Sequence, residues 1–428
     1  NPEMAGDIAG GVAEMAPATA ADVAGAMVEA NPDGAADMAA AMAEANPVAA
    51  GAAMGAMAEA APDVAMEAAT AMAEANPDAA GFAAQSMADA VPELAGEAAT
   101  AMMEAAPDAA GAIAGGVARG DADIAAQVAT EMMESNPEMM GEIAGGVAAM
   151  APAAAGDVAG AMVEANPDGA ADMAATIAET VPTAAGMVAG AIAEADPGLA
   201  AEAASAMMEA NPATATQAAA GMANAAPEVA GDVAGAMMEV AMDPAFSEDF
   251  VASMAEANPD MSFEDLGTMA ENFAGNAIGS IAQGMATGDA DSAGDVAGVM
   301  MEAAMANPDM AENMVGEIAG GMAAGAPQEA GDIAVGMMEA NPEMAGDIAG
   351  GAAAGNPAVA AGVAMEMVNA DPGMVNDIAG GVAEGAPAAA GAVVGAMVAD
   401  NPDVAAGVID AAMTANPAAA GAVAGGVL

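Results

Sequence analysis

The stretch Asn1-Pro2-Glu3-Met4-Ala5-Gly6-Asp7-Ile8-Ala9-Gly10-Gly11-Val12-Ala13-Glu14-Met15 decides the fold, because the chain repeats it every 15 residues. Asn at position 1 of this unit is a good helix N-cap, and Pro at position 2 suits the first helical residue, where a missing N–H costs nothing. Acidic residues at positions 3 and 7 complement the helix dipole, and the Ala and Met interior favours helix. The next Pro disfavours α conformation at the residue before it and so ends the helix. Each unit is therefore expected to be one helix of about 12 residues, with two or three residues leading to the next.

Working outward, the frame is unbroken through residue 240 and absorbs small insertions near 241–242, 288, 304–306 and within 307–325. It resumes at Ala326. The organisation read from it is 1–240 regular, 241–325 divergent and 326–428 regular, forming one continuous solenoid. All 25 prolines fall at position 2, and the units beginning at Asp121, Phe273 and Asp289 lack one. Positions 5, 8, 9 and 12 form one apolar stripe. Small residues at positions 6 and 10, as in Gly6 with Gly10 or Gly346 with Gly350, allow close backbone approach. Met at positions 12 and 13 fills the gaps that Ala and Gly leave.

A helix this short is unstable alone, whereas stacked neighbours bury a continuous core. The fold class is thus all-α, an α-solenoid of about 28 short helices. It resembles the HEAT and armadillo solenoids in architecture only, with a much shorter repeat. Residues 136–174 nearly copy residues 1–39, an offset of nine units. If two helices made one turn, an odd offset would swap inner and outer roles. Either the helices are nearly equivalent or three make a turn.

Composition limits the chemistry. The 428 residues include one Lys or Arg, 63 Asp or Glu, no His, no Cys and no Trp, for a net charge of -62. Disulfides, zinc fingers, thiol nucleophiles and imidazole bases are excluded. A basic footprint for nucleic acid or an anionic membrane is absent. The recurring prolines and carboxylates exclude a membrane span. Enzymatic function has no support, because no base except a carboxylate can activate the Ser and Thr hydroxyls. Self-repulsion on this scale calls for divalent cations, salt or acid. Residue 1 already sits inside a repeat, so the chain reads as processed or as a segment of something longer.

Glu14, Glu29, Glu44, Glu59 and Glu74 would form a carboxylate ladder, read either as a multivalent calcium surface or as a solvated face. Asp121 with Asp123, and Asp289 with Asp291, are candidate calcium ligands; the competing reading is a Gly C-cap followed by an Asp N-cap. The Met102-Met103 and Met132-Met133 pairs are read as core rather than as Cu(I) ligands. Phe246 and Phe250, at i and i+4, either fill a local bend or dock a neighbouring chain. Val423 and Val427 would mark the exposed face of the last helix. Neither end looks capped, and uncapped solenoid ends stack. The functional expectation is a structural repeat protein, a subunit or segment of an extracellular or cell-surface filament. No cofactor is expected beyond a possible role for calcium, and the partners would be further copies of the repeat. The alternative is an acidic protein that binds calcium or a mineral or ice surface.

Overall fold

The computed structural model describes residues 2–243, 245–246, 263–307 and 311–427. Among them are 26 α-helices and no strand. The chain divides into two compact units, Asn1–Leu199 and Ala200–Leu428, a boundary inside the regular repeats rather than at the departure near residue 241.

The repeat behaves locally as its residues dictate, with one difference. α4 (Pro47–Ala60) and α5 (Pro62–Ala75) run 14 residues each, so a single residue, Ala61, joins them. In many other units a three-residue 3-10 turn at Pro leads into an 11-residue α-helix, as in Pro17–Thr19 before α2 (Ala20–Ala30). The connection is one residue rather than two or three because that residue serves both helices. Asn46 shows how. Its N–H donates to the Met42 carbonyl at 2.8 Å and closes α3 (Ala35–Ala45). Its Oδ1 accepts from Ala49 N–H at 3.2 Å and opens α4. Its Nδ2 donates across 33 residues to the Ala13 carbonyl at the end of α1 (Pro2–Met15), at 3.2 Å. Asn76 to Ala43 and Asn356 to Ala323 repeat that bridge. Asn carries both a donor and an acceptor, so it can cap and bridge at once where Asp could only cap.

Pro controls helix length. The unit beginning at Phe273 lacks it, and α17 (Phe263–Gly288) runs through as a single 26-residue helix. The other two Pro-less units still break, because an Asp replaces the Asn. Asp121 Oδ1 accepts from Asp123 N–H at 3.0 Å, and Asp289 Oδ1 accepts from Asp291 N–H at 3.2 Å.

Each helix packs chiefly on the one two places ahead: α1 on α3, α2 on α4, α3 on α5 and α4 on α6 (Pro77–Ala90). Two helices therefore make one turn, and alternate helices form two layers. The odd nine-unit duplication consequently moves a copied helix into the other layer, so the helices are nearly equivalent. Helices within a layer run parallel. A methyl placed on Gly6 would lie 3.1 Å from the Asp37 carbonyl oxygen, and one on Gly10 would lie 3.0 Å from that of Ala41. Positions 6 and 10 of one helix thus meet positions 7 and 11 of the helix two ahead. In α5 the core is Ala65, Ala68, Ala69, Met72 and Ala73, positions 5, 8, 9, 12 and 13. Met102, Met103, Met132 and Met133 are likewise buried.

In the second unit the two layers differ. One contains α17, α19 (Ala311–Gly325), α21 (Ala345–Gly355) and α23 (Val375–Gly385). There a methyl on Gly351 would collide with the Gly316 carbonyl, and one on Gly381 with that of Gly346. The other layer contains α16 (Ala230–Met242), α18 (Ala293–Met305), α20 (Ala330–Ala340) and α22 (Ala360–Ala370). Its Gly235, Gly294, Gly298, Gly336 and Gly362 have nothing within 4 Å of an added methyl. Backbone approach is thus closer through α17, α19, α21 and α23 than through α16, α18, α20 and α22, although the second layer closes up again at α24 (Ala390–Asp400), where methyls on Gly391 and Gly395 would meet backbone carbonyls.

The two glycine classes predict opposite signs for one substitution. Gly381→Ala overpacks a backbone contact and should cost about 1–3 kcal/mol. Gly235→Ala meets open space and should add about 0.5–1 kcal/mol through helix propensity. Urea unfolding of the intact chain checks both; equal shifts for the two variants would contradict the two-layer account.

Candidate functional site

The close-packed layer of the second unit carries the most distinctive surface. A groove of about 660 Å³ runs over α17, α19, α21 and α23. Its floor is backbone, exposed by Gly316, Gly320, Gly346 and Gly350, and its walls carry Glu312, Glu317, Asp347 and Glu384. The missing side chains bring neighbouring helices together, and the carboxylates of those helices are brought with them.

Crowding and burial change how two of these acids titrate. Burial lifts the Glu317 carboxyl above its ordinary range. Asp347 is lifted first by burial, then by the negative charges of Glu312 and Glu384, against a lowering hydrogen bond from its own backbone. Such groups hold protons more readily than solvated acids do. Among the described residues no three carboxylates converge on a metal position. The groove can hold protons and attract cations diffusely.

The carboxylates read as one ladder form two rows. Glu14, Glu44 and Glu74 lie on α1, α3 and α5, while Glu29 and Glu59 lie on α2 and α4 of the other layer. All five are exposed. Asp121 and Asp123 precede α9 (Ala125–Ser135) in the first unit, and Asp289 and Asp291 precede α18 in the second. In each pair the first Asp accepts the backbone N–H of the second, as helix-capping residues do.

Phe246 is half-buried and lines a depression with Ser205, Glu209, Glu239 and Val240; Phe250 lies outside the described residues. The sole basic residue, Arg119, borders a smaller depression with Val48 and Phe82.

The terminal helices correct one expectation. Val423 of α26 (Ala420–Val427) is 1% exposed, so it belongs to the packed face, while Val427 is only part-exposed. The residues left open on α26 are Gly421, Ala424, Gly425 and Gly426. At the other end Met4 and Ile8 of α1 are 55% and 50% exposed. Among the described residues no helix is long and apolar enough to cross a membrane. The chain matches no protein-family model, no curated protein and no solved structure.

Reading single units did not reveal Glu317 and Asp347 as a pair. The available signal was the coincidence of Gly at positions 6 and 10 with an acid at position 7 in alternate units, read only once two helices are known to make a turn.

The raised carboxyls set the sign of a pH effect. The folded state binds more protons than the unfolded state between the raised values and the ordinary 4.5 of Glu317 and 3.8 of Asp347. Their ionisation therefore destabilises the fold above that window, and stability from these two groups grows as pH falls through it. Glu317→Gln with Asp347→Asn should raise the Tm at pH 7 and flatten the rise on acidification. An unchanged pH profile in thermal melts would contradict this.

Proposed function

We propose that this chain is a structural repeat protein, a segment of an extracellular or cell-surface filament in which further arrays of the same repeat stack end to end. One observation carries the reading: each helix packs chiefly on the one two places ahead, and the contact of positions 6 and 10 with positions 7 and 11 that joins Gly6 and Gly10 of α1 to Asp37 and Ala41 of α3 is a property of the repeat, so one array can be continued by another of the same repeat. A contact between unlike faces is heterologous and propagates unless its rotation closes a ring.

The composition supports the reading. It supplies regular surfaces and a core of Ala and Met, with no His or Cys. The reading is accordingly of a non-catalytic protein. A charge of -62 on every copy opposes association, so divalent cations such as calcium, or salt, act as the screening partners.

Light scattering and electron microscopy of the 428-residue chain test the reading. Association should grow with protein concentration, be strongest in salt or millimolar calcium, and yield elongated particles. A chain that stays monomeric at high concentration in screening buffer would overturn it.

A further inference from the structure

The row of exposed acids at position 7 is interrupted in the first unit. Along one layer it reads Asp22 on α2, Ala52 on α4, Phe82 on α6, Ala112 on α8 (Ala110–Gly120) and Glu142 on α10 (Met140–Met150), and all five are exposed. Two more acidic positions change beside it. Val48, at position 3 of its unit, is 57% exposed. Arg119, the one Lys or Arg of the chain, stands at position 14 on α8, where α4 has Glu59 and α6 has Asp89. With Val48 and Phe82, itself 38% exposed, Arg119 borders a depression of about 420 Å³.

This face is left with apolar surface in water and a cation without an anion. Among the described residues no carboxylate forms an ion pair with the Arg119 guanidinium, although Asp89 lines the same depression. On a chain of net charge -62, a second copy meets repulsion wherever acid faces acid. Around Phe82 that repulsion is relieved, and Arg119 is open to a carboxylate of the other copy.

The order of the row supplies the geometry. Helices of one layer run parallel, so Ala52, Phe82 and Ala112 form a line across α4, α6 and α8 with the large side chain in the middle. A two-fold axis that runs along α6 between two copies lays this line on itself in reverse. Phe82 then meets Phe82, and Ala52 meets Ala112. The same rotation sets position 14 of α8 over position 14 of α4, which is Arg119 over the exposed Glu59.

We propose that two copies of this chain bind through this face as an isologous pair, with the Phe82 rings in contact at the axis and Arg119 of each copy paired with Glu59 of the other. Two aromatic rings pack favourably when offset or edge to face, and the depression beside Phe82 leaves room for the second ring. Asp78 meets Asp78 and Asp89 meets Asp89 near the axis, so the pair forms only where salt screens them. The line covers two helix spacings, about 16–20 Å, which makes the interface small and the pair weak. The contact closes at two copies and does not depend on the end-to-end stacking proposed above.

Sedimentation equilibrium of the 428-residue chain at rising concentration in screening salt tests the pair. The wild type should pass from monomer to dimer. Phe82→Asp and Arg119→Glu each return an acid to a position where other units carry one, and Phe82→Asp keeps the Cβ that lies against Gly51. Both positions are exposed, so cooperative melting should persist, while each variant should weaken dimerisation at least about tenfold. Arg119→Glu combined with Glu59→Arg should restore the dimer, and Asp89→Asn should strengthen it. A charge swap that fails to restore the dimer, or association that Arg119→Glu leaves intact, overturns the pair and leaves the end-to-end reading standing. Association that stops at two copies and is lost in Arg119→Glu upholds the pair and overturns the end-to-end reading. A wild type that stays monomeric up to millimolar concentration overturns both.

Discussion

Proline at a fixed interval is the constraint on which the rest depends. Its ring cannot continue a helix, and it pushes the preceding residue into extended conformation, so the chain turns at a single residue. Regular units therefore have the same length, about 21 Å at 1.5 Å per residue, and helices two apart stack without overhang. Where the unit at Phe273 lacks its Pro, the helix doubles in length. The connecting residue carries three tasks at Asn46, Asn76 and Asn356: closing one helix, opening the next, and bridging to a helix end 33 residues earlier. Such a bridge satisfies a helix-terminal carbonyl that would otherwise depend on water.

With helix length fixed, spacing between helices becomes the variable, and glycine sets it. A core with 1% aromatic residues has little bulk to bury, so close approach replaces large side chains as the source of contact. Methionine fills what remains, and Met38, Met42, Met54 and Met57 are all fully buried. The layer of α17, α19, α21 and α23 takes this furthest, with backbone meeting backbone. That approach also produces the crowded groove: helices that come closer bring their position-7 and position-14 acids closer, as with Asp347 and Glu384. Packing gain and electrostatic cost at this site have the same origin.

The same regularity makes each unit a surface for the next, since a repeat that packs on copies of itself offers the same two faces throughout. The surrounding carboxylates oppose contact between copies within a screening length of about 8 Å at physiological salt. Counterions that screen this repulsion would lower the barrier to any contact between copies.

The sequence by itself determined what depends on one unit: helix, break and cap from Asn-Pro, the buried positions 5, 8, 9, 12 and 13, and the exposed carboxylates at 3, 7 and 14. These follow from local backbone restriction and from the 3.6-residue period, both of which act within 15 residues. Only the tertiary structure decided that two helices make a turn, that Gly351 and Gly381 are contacts while Gly235 and Gly362 face open space, and that Val423 is buried. It also gathered Glu312, Glu317, Asp347 and Glu384 into one groove. Nearly identical units present nearly identical faces, so their periodicity is compatible with more than one stacking order. The choice is made by backbone contacts between residues some 31 to 35 positions apart, and those depend on the spacing of whole layers rather than on any single unit.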